Sequence, residues 1–194
     1  YLEGLADLWA RDGARFGLPK DWDTIAIVYN KEKLDAAGVT VEELNNATWN
    51  PTDGGTFEEI LARLTIDANG NTALSPDFDA SDVVEYGYIP LSGTDSGGAY
   101  GQTQWSHFAV SYGWSFNEGL YATSYNYEDP KFIETIDWLQ NAIVDKSLSP
   151  PFEEIASLGG NALITSGTGA ITHDCSWMIA TYTGNSDFEV GFAR

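Results

Sequence analysis

The stretch DTIAIVYNKEKLDAAG, residues 23–38, indicates the fold class of this chain. Its first half, up to residue 30, is rich in apolar and β-branched side chains, which is typical of a buried strand. Its second half carries charged residues and alanines and stops at Gly38, so it predicts a short helix that the glycine ends. A buried strand that leads directly into a helix is the building unit of α/β proteins.

The same alternation of strands and helices continues along the chain. It predicts a single α/β unit over residues 1–194, with a largely parallel or mixed sheet flanked by helices. A glycine-rich loop is expected at 92–102, and the first 13 residues are typical of the end of a helix. The other predicted strands are 83–91, 168–174 and 188–193, and the other predicted helices are 40–46, 56–66, 103–114, 129–150, 152–167 with a break at the two glycines, and 176–184.

Helix starts are marked by capping residues. Thr40 is a predicted N-cap, and Thr56 with Glu59 three residues later has the pattern of a capping box. Asp129 precedes Pro130, which suits the first position of a helix. These signals predict where three helices begin.

The charge of the chain limits its ligands. Nine Lys and Arg face 29 Asp and Glu, which gives a formal net charge of −20. Such a charge repels nucleic acids and anionic membranes, so we expect neutral or cationic ligands and no nucleic acid. The chain also has 7 Trp, several of them among Gly, Asn, Asp and Ser, where an aromatic ring can offer an apolar platform on a polar surface.

The triplet His173, Asp174 and Cys175 suggests catalysis or metal binding. Successive residues of a strand face opposite sides of the sheet, so His173 and Cys175 share one face and Asp174 lies on the other. A nucleophilic Cys–His pair needs a hydrogen bond between the two side chains, which residues two apart on a strand rarely achieve. A zinc site needs several ligands, and this chain has only two histidines. We expect no metal and a strand end with a buried cysteine.

Two other acidic patterns have structural explanations. Glu58–Glu59 and Glu153–Glu154 lie at predicted helix starts, where negative charge is favourable, so they do not identify the carboxylate pair of a glycosidase. The Asp67–Asn71 loop alternates oxygen-bearing side chains in a way that hints at calcium. It lacks the glycine and glutamate positions of an EF-hand loop, and Asn69-Gly70 is a turn signal by itself.

Three segments resemble the extracellular solute-binding proteins, family 1, of sugar ABC transporters. GLPKDWDTIAIVYNKEKLDAAGV (17–39) is similar to the family's first crossing between lobes, which typically has a G-x-P entry and a strand ending in Y-N-K. TWNPTDGGTFEEILARLT (48–65) is similar to the segment that follows it. GTGAITHDCSWMI (167–179) resembles the return segment, in which a strand ends in a Gly-Ser-Trp turn; Cys175 stands here in place of that glycine.

The resemblance implies a lobe of the periplasmic-binding-protein-like type II fold, with crossing segments near 17–30 and 168–194. The chain opens within a helical pattern and stops within an apolar strand, so we expect it to be an internal part of a larger two-lobed protein. That protein would bind a neutral mono- or oligosaccharide in the cleft, without catalysis or a cofactor, and deliver it to ABC permease subunits. Bacterial members are periplasmic, or extracellular with a lipid anchor at the cell surface.

The turns around the expected cleft supply the candidate sugar contacts. Sugars stack an apolar C–H face on aromatic rings and need donors and acceptors for their hydroxyls. The alternative from another class of protein is a glycoside hydrolase that uses a carboxylate pair. Trp49 and Trp138 are expected to pack internally. The predicted ligand-binding residues are Trp177, Trp22, Asp23, Trp114, Ser176, Tyr112 and Asn117.

Overall fold

The computed structural model of the chain describes residues 2–91, 101–119 and 121–194. Most of the predicted glycine-rich loop at 92–102 lies outside these ranges. The described strands are β1 Ala10–Arg11, β2 Ala14–Arg15, β3 Ile25–Asn30, β4 Ile66–Asp67, β5 Val83–Tyr88, β6 Gly169–Cys175 and β7 Val190–Ala193. The described α-helices are α1 Lys31–Ala36, α2 Val41–Asn45, α3 Gly55–Leu64, α4 Ser106–Ser111, α5 Pro130–Trp138, α6 Phe152–Leu158, α7 Gly160–Thr165 and α8 Ile179–Asn185.

A five-stranded mixed sheet forms the centre of the described residues, in the order β4-β5-β6-β3-β7. The β5 and β6 strands are parallel, whereas β3 is antiparallel to both β6 and β7. Helices cover the sheet, and the predicted α/β class with a mixed sheet is confirmed. One apolar cluster packs Ile27 and Tyr29 against α3 and Trp138, and the other packs Val28 against Ile164 and Tyr182.

Two of the three predicted helix starts are confirmed. The Thr40 hydroxyl accepts the Glu43 N–H at 3.0 Å, and the Asp129 carboxylate accepts the Lys131 N–H at 2.8 Å. The capping box at Thr56 is wrong. The α3 helix begins one residue earlier, after Gly54 in the left-handed region with φ of 74°, and the Thr56 hydroxyl accepts the Thr48 N–H instead.

Several element boundaries differ from the prediction. Residues 5–9 form a 3-10 helix followed by the β1-β2 hairpin, because Asp12 and Gly13 have positive φ and reverse the chain. The helix predicted at 129–150 is α-helical only to Trp138 and continues as a π-helix over Leu139–Asp145. Trp138 is 4% exposed and packs internally, as predicted.

Among the described residues, no helix combines the length and the apolar character that crossing a bilayer requires.

Candidate functional site

Strand pairing brings the two predicted crossing segments together. Ile25 at the start of β3 is opposite Cys175 at the end of β6, because these strands are antiparallel. Asp23, two residues before β3, and Ser176, directly after β6, therefore meet at one end of these two strands. We call Cys175–Met178, which joins β6 to α8 and includes a 3-10 helix, the return turn.

Asp23 holds the return turn through Ser176. Its Oδ1 accepts the Ser176 backbone N–H at 2.8 Å and also the Ser176 hydroxyl. Burial alone would raise the pKa of Asp23, but the bonds from Ser176 and from the Thr24 N–H outweigh it, and the pKa lies below its usual value. Asp23 is therefore an anion that is stabilised by the turn it fixes.

The two tryptophans beside this contact are exposed. Trp22 is 60% exposed and Trp177 is 61% exposed. Each directly adjoins one member of the Asp23–Ser176 pair in sequence, so both residues lie at the same end of the sheet. Exposed tryptophans next to a fixed polar contact make a surface that is suited to an apolar ligand face.

Cys175 lies beneath this surface and is not activated. It is 3% exposed, and burial, together with the neighbouring Asp23 carboxylate, raises the pKa of its thiol to about 12. The Gln102 side-chain amide donates to its sulfur at 3.7 Å. A thiol with this pKa is a poor nucleophile. Its backbone, with φ of −91°, is extended, so the turn does not require the glycine that is usual in the resembled family.

The other two members of the triplet point to opposite faces, as the strand alternation predicts. His173 is buried against Tyr88 and stacks on His107 with ring centroids 4.2 Å apart. Burial lowers the pKa of His173 to about 3, so this ring is neutral near pH 7. Asp174 faces the other side and accepts the Tyr182 hydroxyl. The triplet therefore does not form a catalytic unit.

Three solved structures superpose on nearly the whole of this chain. UspC of Mycobacterium tuberculosis superposes with a TM-score of 0.82 at 28% identity, over 98% of this chain and 46% of its own. The ABC substrate-binding protein Lmo0181 of Listeria monocytogenes, solved with cycloalternan, superposes with a TM-score of 0.66 at 22% identity, over 98% of this chain and 41% of its own. UgpB of M. tuberculosis, solved with glycerophosphocholine, superposes with a TM-score of 0.67 at 14% identity, over 100% of this chain and 40% of its own.

The chain has the fold of an ABC-transporter solute-binding protein. The resemblance predicted from the sequence is confirmed, and the chain spans less than half the length of each of these three proteins. Neither a family model nor a curated protein sequence matches it.

The polar groups of three predicted contact residues bond to other parts of the chain. Trp114 is 3% exposed, donates its indole N–H to the Asn126 carbonyl at 2.9 Å, and packs against Trp105 and Phe132. This burial argues against a sugar contact through Trp114. Two lesser candidates follow it in the same region: the Tyr112 hydroxyl donates to Glu134, and the Asn117 side chain accepts the Gly119 N–H.

The Asp67 loop is a hydrogen-bonded turn. The Asp67 carboxylate accepts the N–H groups of Asn69, Asn71 and Asp79 at 2.8–2.9 Å, and these bonds lower its pKa to about 2 although desolvation opposes them. Its oxygens thus face amide donors. Within the described ranges, no three His, Cys, Asp or Glu side chains converge in a metal-binding arrangement.

Sequence reasoning missed two groups near the return turn. Gln102 contacts Cys175 from 73 positions away, and Tyr182 contacts Asp174 across the return turn and the start of α8. No local sequence pattern connects either residue to the site. For Tyr182, the available signal is its place on the buried face of α8, where a phenol must find a partner.

Proposed function

We propose that this chain is the sugar-contacting part of a substrate-binding protein of a carbohydrate ABC importer. In this proposal the whole protein has two lobes, and residues 1–194 form one of them, with crossing segments near 17–30 and 168–194. It captures a neutral mono- or oligosaccharide outside the cytoplasmic membrane, lipid-anchored or periplasmic, and delivers it to permease subunits without chemical change. The observation that carries the proposal is the pair of exposed tryptophans beside the Asp23–Ser176 contact.

The chemistry of the surface around the Asp23–Ser176 contact suits a sugar. The C–H face of a pyranose stacks on an indole ring, and Trp22 and Trp177 each offer an exposed ring. Ser176 is exposed, and although its hydroxyl donates to Asp23, its oxygen can still accept a bond from a sugar hydroxyl. Asp23 and Ser176 thus both position the turn and add polarity to the surface.

Charge and the structural relatives support the same class of ligand. A net charge of −20 disfavours anionic solutes, whereas a neutral sugar pays no electrostatic penalty on approach. Lmo0181, solved with the cyclic oligosaccharide cycloalternan, shares the fold of this chain over nearly the whole length of this chain.

The alternative of a glycoside hydrolase finds less support. A glycosidase needs a general acid whose pKa is raised, paired with a second carboxylate across the scissile bond. Asp23, which adjoins Trp22 and bonds to the return turn, has a lowered pKa, and both of its Ser176 bonds stabilise its charged form.

The test is isothermal titration of the intact protein that carries this chain. The panel contains neutral monosaccharides, linear and cyclic oligosaccharides, and glycerophosphocholine, and each sample is then analysed by chromatography for cleavage products. We expect micromolar or tighter binding of a saccharide, about 8 kcal/mol or more, with the sugar unchanged. New reducing ends would favour the hydrolase, and binding of glycerophosphocholine alone would contradict a sugar ligand.

A further inference from the structure

We infer that Asp174, Tyr182 and Asn161 form a positioning network that holds the return turn, and with it Trp177, in the orientation that receives a ligand. The inference rests on the proposed function, since it assigns these residues a role at the same site. All three lie behind the return turn, on the side of β6 opposite His173. The sequence patterns pointed to Asp174 only as a member of the triplet, and they did not point to Tyr182 or Asn161.

The network connects three elements through one carboxylate and one phenol. Asp174 Oδ1 accepts the Cys175 backbone N–H at 2.7 Å, and Asp174 Oδ2 accepts the Tyr182 hydroxyl at 2.5 Å. The Tyr182 oxygen also lies 2.7 Å from the side-chain oxygen position of Asn161 on α7. A phenol has one proton, so the Asn161 amide satisfies the same hydroxyl when its NH₂ group is turned toward it.

The Asp174–Tyr182 bond closes the chain around the return turn. Asp174 is on β6, Tyr182 is on α8, and the residues between them include Ser176 and Trp177. The Trp177 ring is 61% exposed, so packing does little to orient it. Its position therefore depends on the backbone that carries it, and the Asp174–Tyr182 bond joins the two ends of that backbone.

A second carboxylate holds the same turn from another direction. Asp23, in the loop that precedes β3, accepts the Ser176 N–H, whereas Asp174 accepts the N–H of its own neighbour Cys175 and the Tyr182 hydroxyl from α8. The turn is thus tied to two other segments, to the loop before β3 through the Asp23–Ser176 bond and to α8 through the Asp174–Tyr182 bond. This double attachment defines the direction in which the next residue, Trp177, leaves the sheet.

Packing alone does not require a carboxylate here. Asp174 is 4% exposed, and Tyr182 belongs to an apolar cluster with Val28, Leu163 and Ile164. Burying a carboxylate in such surroundings is costly unless hydrogen bonds stabilise it, and an apolar side chain would fill the space without that cost. Fully bonded buried networks fix one geometry, which is what a binding surface needs from its supporting residues.

The experiment measures the Trp177 ring directly in the intact protein that carries this chain. Tryptophans are replaced by 5-fluorotryptophan, and the Trp177 fluorine resonance is assigned by its loss in Trp177→Phe. Without sugar, we expect Asp174→Ala to shift or broaden this resonance, and Tyr182→Phe to do so less. With the saccharide identified by titration, we expect Asp174→Ala to weaken binding at least tenfold and Tyr182→Phe by a few fold.

Two further variants separate positioning from loss of stability. Asp174→Asn keeps an oxygen for the Cys175 N–H and offers an NH₂ group to Tyr182, whose proton then goes to Asn161, so it should restore the resonance and most of the affinity. Thr65→Val removes a buried hydroxyl that bonds Leu61 and Gly87, far along the chain from the turn. It should lower the free energy of unfolding without changing the Trp177 resonance.

The outcomes are distinct from those of the proposed function. If Asp174→Ala and Tyr182→Phe fold and leave the Trp177 resonance unchanged, the network is only structural and the inference is overturned. If no saccharide binds but the resonance responds as expected, the proposed ligand is wrong while the positioning role stands.

Discussion

Trp177 and Trp114 were both predicted to contact a sugar, and the structure places them in opposite environments. Trp177 is 61% exposed on the return turn, next to a charged carboxylate. Trp114 is 3% exposed among Trp105, Phe132 and Tyr127. Both follow a helix or strand end and both have small or polar neighbours in sequence, so local composition does not distinguish a ligand platform from a packed ring.

The difference lies in what surrounds the rings in three dimensions. The region around Trp114 gathers aromatic side chains from residues 105–132, and their edges and faces cover one another. At the return turn, the polar groups bond to each other, Asp23 to Ser176 and Asp174 to Cys175, which leaves the tryptophan ring uncovered. Rings that have other rings as neighbours stabilise the fold, whereas an uncovered ring is available to a ligand.

The largest expected effect is on stability at the buried ring. Trp114→Ala should lower the free energy of unfolding by about 3–5 kcal/mol, because it removes a large buried side chain and leaves a cavity. Chemical denaturation of the intact protein measures this change. Trp177→Ala is the matched control, and it should stay within about 0.5 kcal/mol of the wild type. If both variants lost the same free energy of unfolding, the two tryptophans would not differ in their contribution to the fold.

The second effect concerns the buried histidines that pack with the aromatic core. Burial first, and then His173, lower the pKa of His107 well below its usual value, and both His107 ring nitrogens are buried without a hydrogen-bond partner among the described residues. The unfolded chain binds a proton near pH 6.5 that the folded chain does not, so stability is lost as the pH falls. His107→Phe keeps the ring and removes the titration.

Between pH 7 and pH 5 the wild type should therefore lose about 2 kcal/mol more stability than His107→Phe. Urea denaturation at both pH values measures the difference. Sugar affinity should stay constant over the same interval, because Asp23 has a lowered pKa and remains charged. A stability profile that is identical in the two proteins would show that folding does not lower the pKa of His107.

The smallest of the three effects is on binding at the exposed ring. Trp177→Ala should weaken saccharide binding roughly tenfold, about 1.4 kcal/mol, because one stacking face is lost while the fold is retained. The control is Leu74→Ala, which removes an exposed apolar side chain from the loop before β5. Because β5 is parallel to β6, this loop lies at the end of the sheet opposite the return turn. Comparable titration curves for the two variants would contradict the assignment of the site to the return turn.

The predictions that succeeded depend on interactions between neighbouring residues, and those that failed depend on residues further along the chain. The 23–38 stretch contains its own strand and helix, since β-branched residues and a terminal glycine act through neighbouring atoms, and β3 and α1 formed there. Thr40 and Asp129 capped helices for the same reason. Thr56 did not, because a distant partner, the Thr48 N–H, takes its hydroxyl.

The sequence by itself determined the α/β class, the strand before the return turn and the opposite orientations of His173 and Asp174, since each follows from the alternation of neighbouring side chains. Only the tertiary structure decided which tryptophans are exposed and which carboxylates hold the turn. Asp23 and Ser176 are 153 positions apart, and only the antiparallel pairing of β3 with β6 brings them within 2.8 Å. Burial and contact of this kind depend on the whole fold, so no local pattern can encode them.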